Sequence, residues 1–278
     1  MTMPDKRTII RSLLFSGYFA AAFLIFLLLL FPFDRIKSRI ESEIRLRTPY
    51  ELAIARISPR FFNTVVLSDV VVSDKSGKVL FESPTIRTSV SLFGLVRGLT
   101  AFSMKASAYN GELLVKSQQG PGRQYLFLDA NGLDIGSYPL LRDAGFHFTG
   151  KLGGNFEMTD ASGKGRLWIK GVTSRDLTVK GFKIPDLDFD QCWLEAEVKG
   201  DRLMVKKLEM DGKELKIRAT GDLVLRERGM MNLTVKLKLS ERMAQEQSWV
   251  TSMLKNKDAE GYYQFALGGT LAEPMPRF

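Results

Sequence analysis

The chain has 278 residues, of which 45% are hydrophobic and 26% are charged, and its formal net charge is +9. These values are typical of a globular protein that can bury a core, and they exclude wholesale disorder. Lysines and arginines are spread along the chain and often alternate with apolar residues, which indicates solvated strand faces rather than a stripe that binds nucleic acid. A single cysteine excludes an intrachain disulfide and a cysteine-based zinc site.

The N-terminal region contains an uncharged run, 12–33, after a short basic tail, 1–11. A helix of that length reaches about 33 Å, which is enough to cross a hydrocarbon core of about 30 Å. No small-x-small cleavage motif follows the run, so the pattern favours an uncleaved transmembrane signal anchor over a signal peptide. The side chains predicted to form the anchor are Leu13, Leu14, Phe19, Phe23, Leu24, Ile25, Phe26, Leu27, Leu28, Leu29, Leu30 and Phe31.

The charges that flank the run do not decide its orientation. Lys6, Arg7 and Arg11 precede it, but a larger number of basic residues follows it within 35–47. Because long domains translocate largely regardless of flanking charge, both orientations stay open, with the N-terminus inside slightly favoured.

An amphipathic helix is predicted directly after the anchor, over 34–48. Ile36, Ile40 and Ile44 recur at a spacing of four and so share one helical face. Asp34 is a suitable N-cap and Pro49 a stop signal. The helix is expected to lie at the membrane surface or to pack on the domain that follows.

From residue 49 to residue 278 the hydrophobic period changes to two, the period of strands. The segment 233–239 shows it best, with apolar residues at every second position and Thr or Lys between them. Turn signals at 74–77 and at Asn110-Gly111 separate such segments. The pattern predicts a mainly β fold, an antiparallel sheet with one apolar face, and a few short helices that cover it.

Two helical interruptions are predicted within this β region, over 137–145 and 240–257. The second begins at a Ser240 cap and carries an apolar stripe of Met243, Val250, Met253 and Leu254. Such a stripe could form a partner groove, but covering an open end of the sheet is the favoured interpretation.

Two segments of the β region, 145–160 and 261–274, each place aromatic residues before a Gly-Gly pair. Glycine within a strand often marks a bulge or a bend. If the β region divides into two halves, the boundary is therefore expected near Gly145.

No catalytic, cofactor or metal site is predicted. His147 has no second histidine, and Cys192 is in phase with apolar residues of its strand. Asp186, Asp188 and Asp190 resemble the start of a calcium loop, but Gln191 stands where that loop needs glycine. These residues indicate a solvated strand face, and the chain is not expected to be an enzyme.

Three segments carry a family resemblance: FPFDRIKSRIESEIRLRTPYELAIARISPRF (31–61), TVVLSDVVVSDKSGKVLFESPTIRTSVSLFGLVRG (64–98) and the closing FALGGTLAEPMP (265–276). They resemble the type II secretion system protein N (GspN) family, within the broader AsmA-like group. The resemblance implies a single-pass protein of the inner membrane with its N-terminus in the cytoplasm. It also implies an elongated, β-rich periplasmic domain with a curved or groove-like sheet.

Two functions of different classes follow. The first is a non-enzymatic component of type II protein secretion that contacts other envelope or secretion-system subunits, with edge strands as a natural mode of contact. The alternative is an envelope lipid-binding or lipid-transfer protein, in which the apolar face of the sheet forms a groove for acyl chains. The expected partners are the membrane, envelope subunits and lipid, with no nucleic acid and no cofactor.

Overall fold

A computed structural model describes residues 18, 33–61, 63–91, 94, 98–143, 147–175, 178–179, 182–183, 185–226, 229–246, 248–254, 257–270 and 273–277. The predicted anchor, with its side chains Leu13 to Phe31, lies outside these residues apart from Tyr18 and Phe33. Among the described residues, no helix is both long and apolar enough to span a membrane. The helices are α1 (Phe33–Arg47), α2 (Pro139–Asp143), α3 (Glu241–Glu246) and α4 (Ser248–Met253), and a 3-10 turn, Ile135–Ser137, precedes α2.

The rest of the described chain is mostly strand. The strands are β1 (Tyr50–Phe61), β2 (Thr64–Asp74), β3 (Val79–Val90), β4 (Thr100–Ala108), β5 (Gly111–Gly120), β6 (Arg123–Asp134), β7 (His147–Thr159), β8 (Ser162–Arg175), β9 (Thr178–Val179), β10 (Phe182–Lys183), β11 (Leu187–Lys199), β12 (Arg202–Gly212), β13 (Leu215–Val224), β14 (Met231–Leu239), β15 (Tyr263–Gly269) and β16 (Pro274–Arg277).

These strands form one large antiparallel sheet in the described part of the chain. Fourteen of the described strands lie in this sheet in the order in which they occur in the chain. The other two, β9 and β10, are not part of it and pair with each other. The prediction of a mainly β, antiparallel fold with few helices is confirmed. β6 ends before Gly145 and β7 begins after it, and these two strands pair with each other. The strands before and after this position therefore belong to the same sheet.

Short turns produce this meander. Between β4 and β5 the loop consists of Tyr109 and Asn110, which both have positive φ, +49° and +59°. Positive φ at both loop residues is the geometry of a type I′ turn, which matches the twist of the flanking strands. The predicted turn at Asn110-Gly111 is therefore found one residue earlier, and it places a tyrosine where asparagine or glycine is usual.

The strand register aligns apolar residues into rows that cross the sheet. Residues that lie directly opposite each other on neighbouring strands have their side chains on the same face of the sheet. Following these pairs from strand to strand defines one row across the sheet. The central row contains only apolar residues or glycine: Ile57, Leu67, Ile86, Ala106, Leu113, Ala130, Gly154, Leu167, Leu194, Leu208, Ala219, Val235 and Phe265.

β-Bulges interrupt the register at one end of the middle strands. Shifts occur between Ala130 and Leu133 where β6 meets β7, and between Thr149 and Lys151 where β7 meets β8. Gly150 lies in the second shift with φ of +140°, which an L side chain rarely adopts. Bulges bend a strand and increase its twist, so aligned bulges in neighbouring strands curl the sheet.

The helices differ in part from the prediction. α1 occupies the range predicted from the isoleucine spacing, and Ile36 and Ile44 are half-buried while Ile40 is 37% exposed. The interruption over 137–145 contains a 3-10 turn and the short α2. In place of one helix over 240–257 the structure has α3 and α4. Ser240 caps α3 as predicted, because its hydroxyl accepts a hydrogen bond from the Met243 amide.

Candidate binding trough

A cavity of about 640 Å³ lies on the apolar face of the sheet. Its lining extends from Phe81 on β3 to Met210 on β12. In a flat sheet these strands would lie about 34 Å apart, seven strand spacings. One cavity can contact both strands only if the sheet is curled, with its apolar face on the concave side.

A second cavity, of about 320 Å³, continues the first along the strands. The two cavities share four lining residues: Leu113, Leu167 and Leu194 of the central row, and Leu152 beside this row. We call the joined space lined by these leucines the apolar trough. Volumes of this size fall in the range of small-molecule sites.

The leucines that line the trough are only partly buried. Leu113, Leu167, Leu194 and Leu208 are all half-buried, although they point toward the centre of the curled sheet. In a closed β-sandwich a second layer would cover such residues. The other sheet in the described part of the chain is the pair of β9 and β10, with two residues in each strand, which is too small to form a second layer. The trough therefore presents apolar surface to an occupant.

Small residues, alanines and glycines, contribute to the floor of the second cavity. Ala130 is opposite Gly154, and Ala196 is opposite Gly165. A Cβ added at Gly154 would lie 2.6 Å from the Arg166 carbonyl oxygen, and one added at Gly165 would lie 2.9 Å from the Phe156 ring. The two glycines are therefore required by close packing, whereas the two alanines leave space above them.

The other end of the trough is partly covered by the connection from β6 to β7. Ile135, Tyr138 and Leu141 from this connection line the first cavity. Tyr138 packs edge-to-face on Tyr109 with ring centroids 5.6 Å apart, and Tyr109 packs in the same way on Phe81 at 6.0 Å. This aromatic cluster joins β3, the β4–β5 turn and the covering connection.

Tyr109 is held by a further contact. Its hydroxyl oxygen accepts a hydrogen bond of 3.0 Å from the Glu82 amide. Burial raises the pKa of the Tyr109 phenol above its ordinary value, so the ring carries no charge at neutral pH. With φ of +49° this bulky residue stands in a conformation that costs energy, which the surrounding contacts must offset.

A polar cavity of about 860 Å³ adjoins this end of the trough. We use this name for the space whose lining includes the polar residues Asp69, Glu82, Ser83, Glu112, Ser137 and Arg142 beside apolar ones such as Val70 and Pro84. Tyr109 lines both the polar cavity and the trough. The trough therefore has a polar neighbour at one end and a floor of small apolar residues at the other.

The convex face of the sheet has different chemistry. Arg166 and Glu195 form a cross-strand ion pair there, with Nε and Oε1 3.2 Å apart. Trp168 and Trp193 stack with centroids 5.8 Å apart, and Trp168 covers Gly153, where a Cβ would lie 2.6 Å from its Nε1. Trp193 also lines the first cavity. The alternation in the sequence therefore separates a charged convex face from an apolar concave face.

Most of the residues that the sequence analysis considered as candidate site residues do not line the trough, and some of them lie close to a basic side chain. His147 begins β7 on the exposed side, opposite Arg175. Asp188 forms an ion pair of 2.5 Å with Arg175, and Asp186 lies 3.8 Å from the same guanidinium. Within the described residues no group of three or more His, Cys, Asp or Glu could hold a metal ion.

Cys192 is the one residue singled out from the sequence that lines the trough. Its side chain is 8% exposed, as its phase in β11 predicted. Burial, with a smaller contribution from Asp211, raises the pKa of its thiol to about 11. The thiol is therefore protonated at neutral pH and behaves as a small hydrophobic group.

Sequence reasoning did not identify the leucines of the trough or Tyr109. The leucines are visible in the strand alternation, but alternation does not tell which strands meet around a common space. The sequence signal that could have identified Tyr109 is its position directly before Asn110-Gly111, because a turn shifted by one residue would contain it.

Comparison with known proteins adds no relative. No family model matches the chain, and neither the curated proteins nor the solved structures compared with it include a match.

Proposed function

We propose that this protein binds the acyl chain of a membrane lipid in the apolar trough. The observation that carries the proposal is the pair of adjoining apolar cavities on the concave face, lined by partly exposed leucines. A large apolar cavity is the default position for an apolar ligand. The predicted signal anchor supports a lipid as the occupant, because it would hold the sheet beside a bilayer.

The length of the trough suits one acyl chain. Cys192 lines one cavity and Val198 the other, and their separation of six positions along β11 corresponds to about 20 Å. One leaflet of a bilayer has a hydrocarbon depth of about 15 Å, half of the core thickness. A chain from one leaflet therefore fits lengthwise along the strands.

The energetics favour a carrier over a tight binder. Moving an acyl chain from water into the trough is favourable by about 0.8 kcal/mol for each CH₂ group. In a bilayer the acyl chain is already removed from water. Its transfer from the bilayer into the trough therefore has a net free energy near zero. A site of this kind supports uptake and release of lipid rather than storage.

A direct test uses photoactivatable fatty acids that cells incorporate into their lipids. In the full chain we expect light-induced lipid adducts on the peptides that line the trough. Leu194→Glu places an unpaired carboxylate among the leucines and is expected to lower the adduct yield by about tenfold or more, because burying an unpaired charge costs more than 1.4 kcal/mol.

Gln191→Glu is the matched control, since Gln191 is an exposed residue of the same strand. It is expected to leave the adduct yield unchanged. Adducts that are confined to the membrane anchor, or an equal yield from both variants, would contradict lipid binding in the trough. Leu167→Trp tests the same site without a charge, because the larger side chain fills the trough.

A role in type II secretion stays a prediction that follows from the resemblance alone. It is checked by deleting the gene and measuring where exoproteins accumulate. Retention of exoproteins in the periplasm would support the role, and normal secretion would count against it.

A further inference from the structure

The two ends of the apolar trough have different chemistry. At one end Tyr109 separates the trough from the polar cavity and lines both. At the other end the floor contains Ala130 and Ala196, and no charged side chain other than Arg166 lines that cavity. Arg166 is directed to the convex face, where it pairs with Glu195. A ligand with one polar and one apolar end therefore has a preferred direction in the trough.

In the floor of the 320 Å³ cavity, Ala130 and Ala196 are the positions at which a larger side chain can replace a small one. The glycines opposite them, Gly154 and Gly165, cannot gain a side chain without a contact of 2.9 Å or less to neighbouring atoms. Ala130 and Ala196 are half-buried and lie side by side with these glycines on the concave face. A larger side chain at either position would project into the 320 Å³ cavity and shorten the space for a ligand.

We infer that the trough holds one acyl chain lengthwise, with the lipid headgroup in the polar cavity beside Tyr109 and the terminal methyl group over Ala130 and Ala196. These two alanines then determine the length of chain that the protein accepts. The inference rests on the proposed function, because it specifies the orientation and the size of the lipid at the same site.

The length test uses the full chain in the membrane of cells that express it, with a photo-crosslinking amino acid at Leu167. The mass of each lipid adduct gives the number of carbons in the captured chain. Ala196→Leu and Ala130→Leu are each expected to shift the captured lipids toward chains shorter by about three carbons, the number that leucine adds to alanine. Leu203→Ala, at the far end of the same cavity, is expected to shift them toward longer chains.

Ala266→Leu is the matched control, because Ala266 is an exposed alanine of the same sheet on β15. Its captured chains are expected to have the wild-type length. If lipids are captured at Leu167 but their lengths are the same in all variants, the length inference is wrong and the proposed function stands. If Leu167 captures no more lipid than a crosslinker at Gln191, the proposed function itself fails.

The orientation is tested separately with crosslinkers at Ser137 in the polar cavity and at Leu203 near the distal end. Fragmentation of the adducts shows which part of the lipid was captured. We expect headgroup or glycerol adducts at Ser137 and adducts near the terminal methyl group at Leu203. The reverse pattern would overturn the orientation. If one leucine variant fails to accumulate, the other variant and Leu203→Ala still decide the length inference.

Discussion

At the scale of single residues, two side chains on the concave face carry ionisable groups but are uncharged in the folded protein. Cys192 and Tyr109 both carry ionisable groups and both line the trough. Burial raises the pKa of each, so both are neutral at physiological pH. These two side chains therefore add no charge to the trough, whose lining also includes Asp134 and Arg166.

Cys192 offers a test of this environment. Because only the thiolate reacts, and the thiol has a pKa of about 11, its rate of alkylation is expected to keep rising with pH up to about 11. Alkylation of the full chain by a small thiol reagent, followed by mass spectrometry across a pH series, measures this profile. An added fatty acid is expected to slow the reaction by occupying the trough.

The control for this measurement is Gln191→Cys in a Cys192→Ser chain, which moves the thiol to the exposed side of β11. Its alkylation is expected to level off near the ordinary thiol pKa of about 8.5 and to be insensitive to the fatty acid. A wild-type profile that levels off at the same pH would show that Cys192 faces water.

At the scale of elements, α1 serves to cover the first edge of the sheet. The Glu41 carboxylate accepts a hydrogen bond of 3.0 Å from the Ile54 amide on β1, and the Lys37 ammonium donates one of 3.4 Å to the Ala55 carbonyl. A free edge amide can pair with another chain, so a helix that binds it limits association. These polar contacts also explain why Ile40 is more exposed than the isoleucine pattern predicts.

Substituting Glu41 tests the contact. Glu41→Ala is expected to lower the free energy of unfolding by about 1–2 kcal/mol, since it removes the acceptor of a partly buried amide. It is also expected to accelerate hydrogen exchange at Ile54. Thermal unfolding and hydrogen exchange of the full chain measure the two effects.

Glu43→Ala serves as the comparison on the same helix. Glu43 forms an exposed ion pair with Arg47, with Nε and Oε2 2.6 Å apart, and such pairs contribute about 0.3–0.5 kcal/mol. Equal losses in the two variants would contradict a special role for Glu41.

At the scale of the whole molecule, the opposite edge of the sheet is protected by prolines. Thr270 directly follows β15 and Glu273 directly precedes β16, and the Thr270 amide donates a hydrogen bond to the Glu273 carbonyl, so these two residues form a hydrogen-bonded pair next to the ladder of β15 and β16. Pairs in an antiparallel ladder alternate, which places Pro274 and Pro276 at the positions whose nitrogens point outward. Proline has no amide hydrogen, so this edge of β16 offers no outward donor.

Restoring donors at this edge is expected to cause association. Pro274→Thr combined with Pro276→Thr provides two outward amides, and we expect a dimer or larger species that the wild-type chain does not form at the same concentration. Light scattering of the purified full chain measures the mass.

Met275→Thr is the control, because Met275 is an exposed residue of the same strand and already has an amide. Association of this control to the same extent would show that side-chain polarity, rather than the new amides, is responsible.

The sequence alone determined the local features of this protein. The period-two alternation predicted an antiparallel, mainly β fold, the isoleucine spacing predicted α1, and the phase of Cys192 in its strand predicted its burial. Each of these depends on residues a few positions apart, which is the range over which strand and helix periodicities act. The membrane anchor over 12–33 is a sequence prediction of the same kind.

Only the tertiary structure decided that the apolar face encloses a trough. The curl depends on bulges that align across strands, and the lining combines Phe81 with Met210, which are far apart in the chain. Alternation gives each strand an apolar side but cannot tell whether a second layer covers it or the sheet bends around an open space. That outcome depends on the register of every neighbouring pair, because one residue of shift moves a side chain to the opposite face.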